Sequence, residues 1–175
     1  MAQALKTKKS LLFDRIIDRV NEQFKNRCKA FRFDGDPITA IRRSFVQINS
    51  GQGRRLDHIM VGHALQGEIG SQFTGTLARS TTELGVAFVI LVEINGDGTP
   101  QENYQRAIKT IDNLEDELVL YLEQDYVVAS GGSRSKASED GFDGLQVGDV
   151  APIPDETGQH LLREVVVSFS LTKYV

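Results

Sequence analysis

The chain has 175 residues and a net charge of −4, with 40% hydrophobic and 25% charged residues, a composition ordinary for a globular protein. We therefore expect a single domain over 1–175 with a substantial core. The longest apolar run, Val86–Val92, is too short to span a bilayer, and the basic first residues lead into no signal-peptide core.

The first third of the chain predicts one helix and then segments of ambiguous structure. Ser10–Phe24 carries apolar residues every three to four positions and charged residues on its other face, which is typical of an amphipathic helix. Arg27–Phe33 alternates weakly between basic and apolar residues, as in a short strand. Residues 38–49 fit a helix that begins at Pro37, but 44–49 also alternates like a strand, and the pattern leaves both open.

Three strands are predicted between residues 56 and 94. Leu56–Leu65 and Phe73–Arg79 each place apolar residues at alternate positions. Val86–Ile94 is apolar on both faces, which indicates a central strand that is covered on both sides. Ser80–Glu83 fits either a turn into this strand or part of a long hairpin.

A long amphipathic helix is predicted over Pro100–Asp125. Thr99 and Glu102 have the spacing of a capping box, which satisfies backbone N–H groups at the start of a helix. The inner stripe consists of Tyr104, Ala107, Ile108, Ile111, Leu114, Leu118, Tyr121 and Leu122. The outer face of the second half carries Asp112, Glu115, Asp116, Glu117, Glu123 and Asp125. Because the C-terminus of a helix disfavours negative charge, this acidic face is either a partner surface or a solvated face.

The remainder of the chain predicts a loop and a final strand. Tyr126–Ala129 fits a short strand, and 130–144 has the Ser- and Gly-rich composition of a flexible loop. Leu145–Ile153 fits irregular structure or a short strand. Leu161–Val175 alternates between apolar and polar residues, so we expect it to pair antiparallel with a central strand.

Together these elements predict an α+β fold. The sheet is expected to be mixed and mainly antiparallel, with helices packed on one face and the C-terminal strand in the sheet. Residues 56–175 are expected to hold the core sheet and the long helix. That helix would pack on the apolar face that the central strand shares with the last one.

No metal site is predicted. His58 and His63 point to opposite faces if they lie on one strand, and no zinc-type spacing surrounds them. The stretch that begins at Glu93 matches the start of an EF-hand loop, but its twelfth position is Tyr104 and not a bidentate carboxylate. A β-turn into the helix explains this Gly-rich stretch better.

No catalytic signature is present either. The chain lacks GxSxG, P-loop and GxGxxG patterns. Cys28 lies among basic residues, a setting that favours reactive cysteines, but no partner His or Asp is identifiable. As the only cysteine, it excludes an internal disulfide and favours a cytosolic compartment. We expect a protein that is not an enzyme and has no cofactor.

The net charge hides a split between the two parts of the chain. Residues 1–58 carry 13 Lys and Arg against 6 Asp and Glu, whereas 59–175 carry 7 against 18. Two pairs of adjacent arginines concentrate the positive charge of the first part: Arg42 with Arg43 and Arg54 with Arg55. These arginines could contact the backbone of a nucleic acid or an acidic surface of a neighbouring copy, or they could simply be solvated. The chain has no RRM, KH or helix-turn-helix pattern that would favour nucleic-acid binding.

The order of elements resembles the tail terminator (tail completion) proteins of tailed bacteriophages, of the minor tail protein U type. The resemblance rests on a leading helix, strands with a hairpin, and an apolar strand that ends in a Gly-rich turn over Leu84–Gly98. A single amphipathic helix, a variable loop and the final strand 162–175 follow. The resemblance covers most of the chain, best over 56–175, whereas 25–55 is longer and more basic than the pattern.

This resemblance implies a structural virion protein with no catalytic residues. The family forms a hexameric ring that caps the tail tube, binds its last ring and, in contractile tails, the sheath, and later joins the neck. DNA would only pass through the lumen, and the protein would be assembled in the host cytoplasm with no membrane partner. Another head–tail connector or tube protein remains open, as does a nucleic-acid-binding module that uses the basic N-terminal third.

A ring also suits the charge split, because neighbours in a ring meet through unlike surfaces. We expect basic surface from 1–58, including Arg42, Arg43, Arg54 and Arg55, to approach acidic surface of the next copy. That acidic surface would come from 112–125 or from 139–156.

Overall fold

The computed structural model describes residues 8–25, 27–32, 57–63, 71–73 and 79–174. The elements are α1 (Lys8–Gln23), β1 (Cys28–Arg32), β2 (Asp57–His63), β3 (Ser71–Phe73), β4 (Arg79–Glu93), α2 (Pro100–Leu120), a π-helical turn (Tyr121–Tyr126), α3 (Lys136–Asp140), β5 (Gly144–Ile153) and β6 (His160–Tyr174). The ambiguous stretch 38–49 and the basic segment that follows it lie outside the described residues.

The strands form one sheet with the order β1-β2-β4-β6-β5, and β3 pairs with the beginning of β4. β1 and β2 are parallel, whereas the other pairs are antiparallel. β6 pairs with β4 along the whole length of both strands. The predicted α+β fold, with a mainly antiparallel sheet that includes the C-terminal strand, is therefore confirmed. The sheet also contains β1, which precedes the stretch predicted to hold it.

β4 is the central strand that its apolar sequence predicts. It lies between β2 and β6, and every residue from Val86 to Val92 is buried. Ser80–Glu83 is part of this strand, so the alternative of a turn at that place is wrong. Only three residues are described as β3, and most of the strand predicted over Phe73–Arg79 lies outside the described residues.

Both long helices pack on the same face of the sheet. Their apolar stripes meet the same side of β4 and β6 in the main hydrophobic core, as the alternation of β6 predicts. The members from the two strands are Leu84, Val86, Phe88, Ile90, Val92, Val165, Val167, Phe169 and Leu171. On the opposite face, Ala87, Val89, Leu91 and Leu162 form a smaller buried cluster with Phe31 and Ile153 beside it.

The long helix begins as predicted and changes its winding near its end. Thr99 accepts a hydrogen bond from the Glu102 N–H, and the Glu102 carboxylate accepts one from the Thr99 N–H, so the capping box is confirmed. After Leu120 the helix continues as a π-helical turn. Continued α-helical spacing would turn Asp125 toward the core, since Leu118 and Leu122 are buried there. The wider turn leaves Asp125 exposed and buries Tyr126.

The segment after the helix differs most from the prediction. Tyr126–Ala129 is not a strand, because Tyr126 completes the π-helical turn. The expected flexible loop over 130–144 contains α3, whose start is capped by Ser135 and whose end has Gly141 at φ 99°. Ala137, Asp140 and Phe142 are buried, which anchors this segment to the core. Leu145–Ile153 belongs to a regular edge strand with a bulge between Val147 and Val150.

Candidate protein-interaction surface

Three of the six acidic residues predicted on the outer face of the long helix are paired within their own subunit. Arg163 on β6 bonds the carboxylates of Asp112, at 2.6 Å, and Glu115. Arg27, in the turn before β1, pairs with Glu117. These ion pairs stabilise the subunit itself. The acidic residues on this face are therefore not, by themselves, an indication of a partner protein.

The other three, Asp116, Glu123 and Asp125, are exposed and make no ion pair with any residue that the structure describes. Two large apolar side chains lie near them along the helix and just beyond its end: Leu120 is 52% exposed and Val128 is 57% exposed. We call Asp116, Leu120, Glu123 and Val128 the outer stripe. A stripe with exposed apolar side chains and unpaired acidic side chains suits contact with a protein surface.

The predicted basic site residues cannot be placed beside it. Arg42, Arg43, Arg54 and Arg55 lie outside the described residues. Other arginines of the basic N-terminal third meet acidic residues inside the subunit. The charge split is thus partly compensated within one chain.

The most buried of these internal contacts surrounds Asp140, which is only 6% exposed. Its carboxylate accepts two hydrogen bonds from Arg19, at 3.1 and 3.2 Å, and one from the Tyr126 hydroxyl, at 2.9 Å. Arg15 donates to the Asp140 carbonyl oxygen at 2.9 Å. The hydrogen bond to Asp140 raises the pKa of Arg19, and burial raises the pKa of Tyr126. The group joins α1, the π-helical turn and α3.

Sequence reasoning missed Asp140 because 130–144 has the composition of a loop. A signal was present, since Ser135 lies directly before a short stretch of helix formers and Gly141 follows it, as at the two ends of a helix. The partner arginine lies more than a hundred positions away, and no local pattern connects the two.

A second polar cluster closes the turn between β5 and β6. Asp155 accepts hydrogen bonds from the Thr157 hydroxyl at 2.6 Å and from the backbone N–H groups of Thr157, Gln159 and His160. Its carboxylate also lies 3.1 Å from Nδ1 of His160. Although burial acts in the opposite direction, these hydrogen bonds lower the pKa of Asp155 to about 2. The Asp–His pair therefore stabilises a turn.

A groove of about 470 Å³ lies between the first half of α2 and this turn. Its lining is mostly apolar and includes Ile94, Tyr104, Ile108 and Leu161, with Arg163 at one side. The Arg163 guanidinium is engaged by Asp112 and Glu115, and Asp155 is saturated by its own turn. None of the described residues that line the groove is a serine, threonine, cysteine or lysine, and the Asp155–His160 pair in its lining closes the turn.

Within the described residues, no group of three or more His, Cys, Asp and Glu side chains is placed to hold a metal ion. The turn that resembles an EF-hand start is instead closed by Asn103, whose amide donates to the carbonyl oxygens of Gly96 and Gly98. Cys28 is buried in the main core. None of the described helices has the length and apolar character needed to cross a membrane.

No protein-family model matches this sequence, and no curated protein sequence matches it either.

Proposed function

We propose that this chain is a structural protein of a tailed-phage virion, a tail terminator that forms a ring on the end of the tail tube and joins the tail to the neck. The observation that carries the proposal is the order and packing of the described elements. A leading helix, a mainly antiparallel sheet with a buried central β4, a Gly-rich turn and the amphipathic α2 precede a last strand that pairs with β4. The resemblance noted in the sequence implies this arrangement.

The outer stripe supports a role in assembly. It combines exposed apolar side chains with carboxylates that lack ion pairs among the described residues. Each copy would contact its ring neighbours, the last ring of the tube, the neck and, in a contractile tail, the sheath. DNA would pass through the lumen of the ring without being read.

The test is to add the purified chain to tubes assembled from the tail tube protein of the same phage. Electron microscopy should show a ring-shaped particle at one end of each tube, and further addition of tube protein should no longer lengthen that end. A variant with Leu120→Asp and Val128→Asp should cap fewer tubes, because it adds charge to the apolar part of the outer stripe. Lys109→Asp, a charge change at another exposed α2 position, is the matched control. Tubes that keep growing at both ends with the native chain bound nowhere would rule the proposal out.

The rival function is a nucleic-acid-binding module. Lys25 and Lys29 favour it, because both are exposed and make no ion pair with a described residue. Arg19 and Arg27 are less available, since carboxylates of the same chain hold them. Binding to duplex DNA at low salt that falls steeply as salt rises would support the rival, and its absence would remove it.

A further inference from the structure

The two outer edges of the sheet carry opposite charge. Residues 25–32, which comprise β1 and the turn before it, include four basic residues and no acidic one. These are Lys25, Arg27, Lys29 and Arg32, which we call the basic edge. Residues 143–156, which comprise β5 and its flanks, include four acidic residues and no basic one. These are Asp143, Asp149, Asp155 and Glu156, which we call the acidic edge.

The strand order places these edges at opposite ends of the sheet, because β1 is first and β5 is last. They therefore cannot neutralise each other within one subunit. On the basic edge, Lys25 and Lys29 are exposed, and on the acidic edge Asp143, Asp149 and Glu156 are exposed. None of these five side chains makes an ion pair with a described residue.

We infer that the basic edge of one copy docks against the acidic edge of the next copy. The inference rests on the proposed ring and identifies the surfaces that close it. A contact between two different surfaces of the same chain is heterologous, and repetition of such a contact generates a ring when the rotation closes. Of the two acidic surfaces expected from the sequence, the one within 139–156 is thus the docking surface. The other, within 112–125, has three of its six acidic residues paired with Arg27 and Arg163.

The contact is made by side chains and not by a continuous β-ladder. On the basic edge, the Asn21 side chain accepts a hydrogen bond from the Ala30 N–H at 2.8 Å and donates one to the Ala30 carbonyl oxygen at 3.0 Å. The backbone at the middle of β1 is therefore satisfied in the free subunit. On the acidic edge, a bulge and Pro152 interrupt the outer side of β5, and both features discourage strand addition. A contact between exposed charges weakens as salt rises.

Two charge-reversed variants test the inference. Lys25→Glu with Lys29→Glu reverses the two exposed, unpaired charges of the basic edge, and Asp149→Lys with Glu156→Lys reverses two of the three exposed, unpaired charges of the acidic edge. Each variant alone should need about 100-fold more protein to associate than the native chain, because like charges face each other. An equimolar mixture should recover the ring with the two variants alternating. Native mass spectrometry should then show equal numbers of each, and circular dichroism checks that both variants fold.

The matched control is Asp97→Lys with Gln101→Lys, which adds two lysines at exposed positions outside both edges and outside the outer stripe. This variant should keep ring formation. The inference is overturned if either edge variant associates like the native chain, or if the mixture of the two variants forms no ring. It is also overturned if the native chain stays monomeric at low salt, both in solution and on tube ends. Tube capping is scored separately. If the native chain caps tubes but edge reversal has no effect on association, the edge contact fails and the proposed function stands. If the two variants form alternating rings that cap no tube, the proposed function fails and the edge contact stands.

Discussion

At the scale of single residues, Asp140 shows how this chain buries a charge. An isolated carboxylate is costly to remove from water, so it is stable in the core only when donors surround it. Arg19 and Tyr126 supply them from two other elements. Burial also raises the pKa of the neighbouring Tyr121 to about 12, so this phenol remains a neutral core residue at physiological pH.

Tyr126→Phe should lower the free energy of unfolding by about 1–2 kcal/mol, because it removes a buried donor to a carboxylate. Urea denaturation measures the change. Tyr104→Phe removes the same hydroxyl from an exposed side chain and should change stability by less than about 0.5 kcal/mol. Equal effects of the two substitutions would show that the Tyr126–Asp140 hydrogen bond contributes nothing.

Asp155 makes stability depend on pH. Its pKa in the folded chain, about 2, lies below the ordinary value of 3.8, so ionisation stabilises the fold. That contribution is fully present above about pH 4 and is lost as pH falls toward about 2. Asp155→Asn should cost about 1–2 kcal/mol at pH 7, and the difference from the native chain should shrink below pH 4.

The control for Asp155 is Glu156→Gln in the same turn. Glu156 is exposed and accepts no hydrogen bond from a described residue. Its substitution should leave the free energy of unfolding close to that of the native chain from pH 7 to pH 3. A gap between native and Asp155→Asn proteins that stays constant with pH would contradict the assignment.

At the scale of elements, the two ends of α2 are fixed by different kinds of interaction. Its start is fixed by neighbours in sequence, since Thr99 and Glu102 cap each other. The hydrogen bonds from Thr99 lower the pKa of Glu102. Its end is fixed by packing, because the π-helical turn places Tyr126 where Asp140 and Phe169 meet it.

Thr99→Ala should destabilise the chain by about 1 kcal/mol, because an N-cap side chain satisfies a backbone N–H that otherwise has no helical partner. Thr110→Ala makes the same chemical change in the middle of α2, where the Thr110 hydroxyl donates to the Arg106 carbonyl oxygen. Alanine is the better helix former there, so this control should be neutral or slightly stabilising. Thermal unfolding followed by circular dichroism distinguishes the two, and a loss at Thr110 as large as that at Thr99 would refute the cap.

At the scale of the whole molecule, the sheet separates a large core from a small one. The helices bury one face, where Val167 is fully buried, whereas the adjacent Val166 on the other face is only partly buried. The two faces should therefore respond differently to the same loss of volume.

Val167→Ala should cost about 2 kcal/mol, and Val166→Ala less than about 1 kcal/mol. The two substitutions remove the same atoms from neighbouring positions of β6, so each is the control for the other. Denaturant unfolding is the measurement. A larger loss at Val166 would mean that the principal core lies on the opposite face.

The sequence by itself determined the parts of this protein that depend on neighbours along the chain. Period-four apolar spacing gave α1 and the inner stripe of α2, the Thr99–Glu102 spacing gave the helix start, and the apolar run of β4 and the alternation of β6 gave two paired strands. Only the tertiary structure decided which charges are free. Arg163 lies about fifty positions from Asp112, and Arg19 lies more than a hundred from Asp140. Local periodicity carries no information about contacts at such separations, because they exist only after the sheet and helices have packed. For the same reason, the sequence alone does not show that the opposite charges of β1 and β5 lie on two separate surfaces. The strand order does, because it places the two strands at opposite ends of the sheet.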